Sequence, residues 1–284
     1  MKHNNNILIK NCKLIDGTGK APIENVMVLI ENGIIMDIGW DKLANEIIPN
    51  DLEVLDLNGR TLLPGIINTH VHIKFGHCDY LKQWLYAGVT TIRDMGILDD
   101  TTVEEALETR NSRFNSQAYP RVLMCGKFFT APGGYGGSSP IQVSSEDEVG
   151  DKIDYLLQQG CDFIKTVLED GFDPSTIGLP KLSPELLNKI CEEAHKRGAW
   201  VSAHVSQVHN LNILVEAGID EAAHNVYDPI PEELITKMVS KKVTMIPTMN
   251  LYQSFCDKYG SPFHDTVVDN VKRFIEAGGS IRYQ

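Results

Sequence analysis

Short apolar runs alternate with longer amphipathic stretches over most of the chain. Up to residue 60 the runs are all of the strand type, and turn sequences such as "DGTG" and "ENG" separate them. From residue 61 onward, apolar strands alternate with helical patterns that begin with polar or acidic residues and often end at glycine. The pattern therefore predicts a small β-sheet module over residues 1–60 and a larger α/β domain over residues 61–284.

Seven strands separated by helical patterns are predicted in the larger domain. They are "TLLPGIINTHVHI", "GVTTIRDM", "RVLMCGKFFTA", "CDFIKTVL", "AWVSAHVS", "GIDEAAHN" and "KVTMIPTM". An eighth strand would begin at "GGSIRYQ", where the sequence stops. Repeated strand and helix imply a parallel sheet, and this number of repeats favours a (β/α)8 TIM-type barrel, incomplete at its eighth strand, over an open sheet.

The amino-acid composition argues against several classes of function. The 284 residues, 42% of them apolar, suffice for one barrel-sized core. A formal charge of -12 argues against a nucleic-acid partner. Six cysteines show no C-x-x-C spacing, and no apolar run is long enough for a signal peptide or a membrane span. We therefore expect a cytoplasmic protein without a membrane partner; the oligomeric state stays open, with a homo-oligomer as one alternative.

Histidines recur at the ends of three predicted strands. His70 and His72 end the first strand, and side chains two residues apart on a strand share a face. His204 ends the fifth strand and His224 the sixth. A lone histidine at a strand end is more often a hydrogen-bonded core residue than a ligand, but the H-x-H pair after "PG" favours metal binding. Because barrel active sites form at the C-terminal strand ends, the four imidazoles are expected to converge.

Lys165 lies on the predicted fourth strand, with the same parity as Cys161 and Phe163. An ammonium group with a pKa of ~10.4 is costly to bury unless it is paired or modified. By itself such a lysine would extend its amine to the rim of the domain. Reaction of the neutral amine with carbon dioxide would instead give a carbamate, an anion that can bridge two cations.

Three further residues are candidates for substrate contacts. The loop "TAPGGYGGSSP", residues 130–140, contains four glycines around Tyr135 and fits a substrate lid as well as a plain flexible loop. Tyr227, three residues beyond the sixth-strand histidine, is placed to reach a substrate carbonyl or carboxylate. For Arg93, at the end of the second strand, we favour an ion pair with Asp94 or a neighbouring barrel carboxylate over a substrate contact.

Several of these segments together resemble the amidohydrolase superfamily. They are "LLPGIINTHVHI", "AGVTTIRDMG", "GCDFIKT", "ICEEAHKRGAWVSAHV", "AGIDEAAHN" and "TMIPTM". The resemblance includes "IDGTGKAPIENVMVLIENGIIMDIG" near the N-terminus and covers nearly the whole chain. It is strongest to metal-dependent Xaa-Pro or Xaa-Arg dipeptidases, which are prolidase-like, and to imidazolonepropionase-like enzymes. It implies a small N-terminal β-sandwich module, the first half of a composite domain, in front of the barrel.

The resemblance further implies a binuclear metal centre. His70 and His72 would bind one metal ion, His204 and His224 a second, and Lys165, carboxylated by carbon dioxide, would bridge both. A bridging hydroxide would be the nucleophile, because coordination can lower the pKa of water toward ~7. Lys165, His204 and His224 would thus take part in catalysis. Zinc is the expected metal, although manganese, iron and cobalt suit similar donors.

The resemblance leaves three functions open. The first is hydrolysis of the C–N bond of a dipeptide or a related small amide, and the second is the opening of a cyclic amide, as in imidazolonepropionases. The third is an inactive truncated fragment or pseudoenzyme, because the family's last metal ligand and proton carrier is an aspartate after the eighth strand, beyond the point where this sequence stops. Deamination is disfavoured, since deaminases of the superfamily typically use one metal and lack the strand-four lysine.

Overall fold

The computed structural model describes residues 6–39, 52–172, 174–260 and 263–283. The chain divides into two compact units, one up to Gly65 and one from Ile66 onward. None of the helices in the described ranges is both long and apolar enough to cross a bilayer.

The strands of the first unit join into one mixed sheet. They are β1 (Ile7–Leu14), β2 (Ile23–Glu31), β3 (Ile34–Gly39), β4 (Glu53–Asp56) and β5 (Thr61–Leu62). The order is β3-β2-β1-β4, with β5 also paired to β1. The small β-sandwich implied by the resemblance stays a prediction, because the described residues of this unit form a single sheet.

The predicted first strand of the larger domain is divided between the two units. Thr61 pairs with Lys13 of β1, so the segment before the proline belongs to the first sheet. Pro64 has no amide hydrogen to donate and cannot continue a strand ladder. The chain therefore leaves the first sheet there, and a new strand begins at Ile66.

The second unit alternates parallel strands with helices. Its strands are β6 (Ile66–Val71), β7 (Val89–Asp94), β8 (Arg121–Met124), β9 (Phe129–Thr130), β10 (Ile141–Gln142), β11 (Ile164–Val167), β12 (Val201–His204), β13 (Glu221–Ala222) and β14 (Thr244–Met245). Its helices are α1 (Leu81–Tyr86), α2 (Val103–Ser112), α3 (Val149–Gln159), α4 (Pro184–Lys196), α5 (Val208–Ala217), α6 (Glu232–Ser240), α7 (Met249–Tyr259) and α8 (Phe263–Glu276). The strands pair in the orders β6-β7-β8 and β10-β9-β11-β12-β13-β14, with every pair parallel. The predicted α/β class with a parallel sheet is confirmed.

Capping residues explain where several helices begin and end. Thr102 and Glu105 form a reciprocal capping box at the start of α2. Ser183 accepts a hydrogen bond from the backbone at the start of α4, which has proline in its first turn. Gly160 ends α3 with a φ of 106°, a left-handed conformation that glycine adopts readily. These local signals set the strand-to-helix spacing that brings the strand ends together.

The predicted third strand is divided into β8 and β9. Gly126, between them, has a φ of +71°, and a Cβ at this position would lie 2.8 Å from Cys161 Sγ. The backbone turns at this glycine and packs closely against its neighbour, so that no single strand spans the segment.

Residues 280–283 lie between the last strand and the first strand of the second unit. The Met245 amide donates to the Ser280 carbonyl over 3.0 Å, and the Arg282 amide donates to the Met245 carbonyl over 2.8 Å. On the other side, the Thr69 amide donates to the Tyr283 carbonyl over 3.0 Å. This short segment therefore supplies hydrogen-bond partners to the edges of both β14 and β6.

Candidate metal centre

The four histidines predicted as ligands lie together at the C-terminal ends of parallel strands. His70 lies within β6, His72 directly follows it, His204 ends β12 and His224 lies two residues beyond β13. The ring centroids of His70 and His72 are 5.4 Å apart, those of His70 and His224 4.4 Å, and those of His204 and His224 4.6 Å. His70 and His224 are buried and His72 is exposed. The cluster is thus accessible from the side of His72.

Backbone carbonyls set the tautomers of His70 and His72. His70 Nδ1 lies 2.8 Å from the Ala223 carbonyl oxygen, and His72 Nδ1 lies 2.7 Å from the Gly96 carbonyl oxygen. A carbonyl can only accept, so a neutral imidazole in this contact carries its hydrogen on Nδ1 and its lone pair on Nε2. Metal-binding histidines in proteins are oriented in the same way.

Side chains orient the other two rings. His204 Nε2 lies 3.2 Å from a carboxylate oxygen of Glu169, so Nε2 is the donor and the lone pair lies on Nδ1. His224 Nδ1 lies 3.0 Å from the hydroxyl oxygen of Thr248. Thr248 is buried and has a φ of 42°, a left-handed conformation that is uncommon for threonine. Sequence reasoning missed both partners.

Glu169 is an ionised carboxylate at the centre of a small hydrogen-bond network. Besides His204, it accepts from Ser206 Oγ at 2.6 Å and from the side-chain amide of Gln207. Burial by itself would raise the pKa of Glu169, but the contacts with His204, Gln207 and Ser206 together lower it to about 2. An ionised partner fixes the His204 ring and increases its basicity as a ligand.

Lys165 is buried beside the histidines, at 3% exposure. Across the described part of the chain, no carboxylate lies within ion-pairing distance of its ammonium group. Burial lowers the pKa of Lys165 to about 8, although nearby Cys125 and Glu221 act in the opposite direction. At pH 7 about one such amine in ten is neutral, compared with roughly one in 2,500 at a pKa of ~10.4. The neutral amine, the form that reacts with carbon dioxide, is therefore far more abundant at this site than for an ordinary lysine, although the ammonium form still predominates at pH 7.

Asp94 organises the backbone around this cluster, a role that sequence reasoning also missed. Its carboxyl group accepts from the Ile73 amide at 2.7 Å and from the Gly96 amide at 3.3 Å. Burial raises the pKa of Asp94 to about 7, while these hydrogen bonds lower it. Because Gly96 also accepts from His72, Asp94 indirectly positions that ring.

Tyr135 covers a cavity of about 40 Å³ at the cluster. The cavity is lined by His72, Met95, Leu98, Phe128, Tyr135, Lys165 and His204. The Tyr135 ring lies 4.7 Å from the His204 ring and 6.2 Å from the Phe128 ring. A space of this size holds a water molecule or a carbamate but not a dipeptide, since small-molecule sites usually measure about 300–1,000 Å³. A whole dipeptide therefore does not fit inside this cavity.

The other two candidates for substrate contacts lie in different surroundings. Tyr227 stacks on Phe172 and Phe263, with ring centroids 6.1 and 4.5 Å apart, in an aromatic group next to the sixth-strand histidine. Arg93 does not join the histidines: its guanidinium donates to the two carboxylate oxygens of Glu221 at 2.6 and 3.0 Å. The expected ion pair of Arg93 with a neighbouring carboxylate is thus present and buried, and a substrate contact of Arg93 stays a prediction.

We expect Glu221→Gln to destabilise the fold strongly. Glu221 is 2% exposed and pairs with both Arg93 and Arg282, so its neutralisation leaves two cations without a carboxylate and costs about 3–5 kcal/mol of unfolding free energy. Urea denaturation measures this loss. Glu216→Gln is the matched control: Glu216 also pairs with two cations, but it is half exposed, and its loss should cost under about 1 kcal/mol. Equal losses in the two variants would contradict the prediction.

The residues at this cluster that could hold a metal ion are the four histidines and Lys165. In residues 6–39, 52–172, 174–260 and 263–283, no group of three or more His, Cys, Asp or Glu side chains could hold one ion. Any ion held here would therefore need a donor besides these side chains, and a carboxylated Lys165 would supply anionic oxygens. The oriented ring nitrogens described above support the same set of ligands.

Glu169→Gln tests the orientation of His204. We expect the glutamine side chain to keep the shape of glutamate but to hold the His204 ring more weakly. Metal affinity would then fall about 10–100-fold. Competition with a chromogenic chelator measures the affinity. Glu185→Gln, which changes an exposed acid in the first turn of α4, is the control and should bind metal like the wild type. Equal affinity in all three proteins would exclude a role for Glu169.

Residues 61–252 match the amidohydrolase family. The chain is 26% identical over 213 residues to an enamidase of Eubacterium barkeri, covering 69% of this chain and 49% of the enamidase. It is 26% identical over 200 residues to an uncharacterised protein of Mycobacterium bovis, covering 70% of this chain and 53% of that protein. The chain thus spans about half the length of these relatives.

Solved structures share the fold. A Xaa-Pro dipeptidase with methionine bound in its active site superposes with a TM-score of 0.79 and 21% identity, over 98% of this chain and 78% of the dipeptidase. The ochratoxinase of A. niger superposes with a TM-score of 0.77 and 19% identity, over 98% of this chain and 75% of that enzyme. Since the family match covers well over half of the residues, the chain belongs to the amidohydrolase family.

Proposed function

We propose that this protein is a metal-dependent hydrolase that cleaves the C–N bond of a dipeptide or a related small amide. One observation carries the proposal: four imidazoles at strand ends, each held by a protein partner at one ring nitrogen, surround a buried lysine that no described carboxylate pairs with. Family membership, which generally goes with divalent metals, supports it. The dipeptidase fold among the solved structures is consistent with this choice of substrate.

The residues of the cluster would divide between two metal ions. His70 and His72 would hold one ion, His204 and His224 the other, and Lys165, as a carbamate, both; zinc is the expected metal. When bound, such ions make water a stronger nucleophile at neutral pH and polarise a carbonyl group.

Other residues of the chain orient the histidine rings and limit the access of water to them. Glu169, Thr248 and two backbone carbonyls hold the rings in place before any substrate arrives, which avoids reorganisation during the reaction. Tyr135 lines the small cavity beside Lys165 and would restrict water there. The aromatic group around Tyr227 offers a surface for the substrate side chain or its carboxylate.

We further propose that the second unit is a (β/α)8 barrel. The hydrogen bonds from residues 280–283 to β14 and β6 support closure on one side. On the other side, the Asp162 amide donates to the Met124 carbonyl over 2.8 Å and joins the β8 end of one sheet to the segment leading into β11.

The test is metal content together with a substrate panel. The protein is expressed with divalent metal and bicarbonate, and its metals are counted by mass spectrometry. Dipeptides ending in proline, arginine or apolar residues are then assayed beside N-acyl amides and cyclic amides. About two metals per chain and release of free amino acids are expected. A metal-free chain would overturn the proposal; turnover of cyclic amides alone would favour ring opening over dipeptide hydrolysis.

A further inference from the structure

A second cavity, of about 670 Å³, is lined by residues of β6, β7 and β8 together with Trp200, Arg282 and Tyr283. We call it the basal cavity. Ile66 and Ile67, at the start of β6, line it together with Leu123 of β8 and Tyr283. None of the four histidines lines it, so the basal cavity is distinct from the candidate metal centre. The volume falls within the range of small-molecule sites, about 300–1,000 Å³.

The wall of the basal cavity carries an excess positive charge. Arg93 and Arg282 both belong to it, and both pair with the single carboxylate of Glu221. Glu221 also accepts from Ser202 Oγ at 2.8 Å, so its oxygens are well supplied with donors. Within the described ranges, neither guanidinium pairs with any other carboxylate. Two cations therefore share one anion, and one positive charge is left without a counter-ion.

Hydrogen-bond donors in the same wall lack acceptors. Arg93 Nε and the indole Nε1 of Trp200 are buried without a partner in the described part of the chain. The Trp200 ring contacts both guanidinium groups, with its centroid 4.8 Å from Arg93 Cζ and 4.7 Å from Arg282 Cζ. Buried donors without acceptors are uncommon and destabilising, so these two donors favour an acceptor at this wall.

Arg282 presents the most accessible of these donors. Its side chain is 32% exposed, and its bonds to Glu221 and Thr244 both use Nε, at 2.9 and 3.4 Å. In the residues that the structure describes, its two terminal nitrogens make no hydrogen bond. A guanidinium with such nitrogens binds a carboxylate through two parallel hydrogen bonds.

We propose that the basal cavity binds an amphipathic monocarboxylate. The carboxylate pairs with Arg282 and neutralises the excess charge, while the aliphatic or aromatic body lies against Ile66, Ile67 and Leu123. A ligand with a single negative charge is favoured, because the wall of the basal cavity carries an excess of one positive charge. This binding site is independent of the hydrolytic reaction proposed above. Because the ligand binds the folded chain, it should stabilise the fold.

Calorimetric titration of the whole protein with octanoate tests this proposal. We expect saturable binding with a dissociation constant on the order of 100 µM, typical for a ligand of this size. Octan-1-ol, which keeps the chain but lacks the charge, should bind at least tenfold more weakly. Octanoate should also raise the melting temperature.

Three variants locate the site. Arg282→Gln removes the charge and Ile67→Trp fills the apolar part, and each should weaken octanoate binding at least tenfold. Ile67 is 49% exposed, so its replacement keeps the test valid if Arg282→Gln does not fold; circular dichroism checks both. Arg121→Gln, an exposed arginine of β8 outside the lining, should bind like the wild type. Absence of saturable heat at millimolar octanoate, equal binding of octanol, or unchanged binding in Ile67→Trp would each overturn the proposal.

Discussion

Replacing His70 and His72 together by alanine is expected to remove at least one of two bound metal ions and to lower amide hydrolysis about 1,000-fold or more. The two imidazoles are the β6 contribution to the cluster, and both are oriented by backbone carbonyls. Alanine offers no donor, and no group of three His, Cys, Asp or Glu side chains in the described ranges could hold the ion instead. Mass spectrometry of the purified variant, beside the wild type, measures the loss directly.

The matched control is a double variant of two exposed histidines. His195 and His209 each contact one carboxylate, Asp220 and Asp170 respectively, and both lie on helices. Exposed pairs of this kind contribute little to stability, so His195→Ala/His209→Ala should keep its metals and its activity. If the His70/His72 variant retained two metals per chain while folded, these residues would be core histidines with no role as ligands.

The histidine cluster could be predicted from the sequence because strand geometry is simple. Side chains alternate along a strand, and the C-terminal ends of parallel strands meet on one face, so His70, His204 and His224 had to approach one another once the strands were identified. The buried position of Lys165 followed from the same parity. These two inferences need only the spacing of residues along each strand and the knowledge that the strands are parallel.

The residues that orient the rings could not be predicted in this way. Glu169 lies in an irregular segment two residues beyond β11, where no periodicity indicates the direction of a side chain. Thr248 reaches His224 through a left-handed backbone conformation that the sequence does not encode visibly. Helix α7, which follows it, was missed as well; Tyr252 is its one buried residue.

The surroundings of Arg93 could not be predicted for a different reason. Its parity on β7 indicates an inward position, but inward residues form several layers, and parity does not say which layer a side chain joins. Its partner Glu221 is 128 residues away in the chain. The long-range pairing of β13 with β12 brings that carboxylate into place. A charged residue near a strand end therefore indicates a functional site only when its partner is known.

Lys165→Ala is expected to lower metal content and hydrolysis as strongly as the loss of the histidines, about 1,000-fold in rate, if its carbamate is shared by both ions. Propionate should restore part of the activity, because the deleted side chain leaves space next to the cavity of about 40 Å³ and a carboxylate offers the same two oxygens as the carbamate. Lys189→Ala, which removes a lysine ion-paired with Glu193 on α4, is the control and should neither lose activity nor respond to propionate.

The wild type provides the complementary test of the carbamate. Its formation joins the Lys165 nitrogen to the carbon of carbon dioxide and releases a proton, so it requires the neutral amine. Since the pKa of Lys165 is lowered to about 8, the neutral fraction rises as the pH rises through that value. Metal-free protein reconstituted with zinc should therefore regain activity faster with bicarbonate than without it, and faster at about pH 8.5 than at about pH 6.5. If reconstitution proceeded equally well without bicarbonate, and propionate failed to rescue Lys165→Ala, the lysine would act as an unmodified amine, and the anionic bridge between the two ions would have to come from another group.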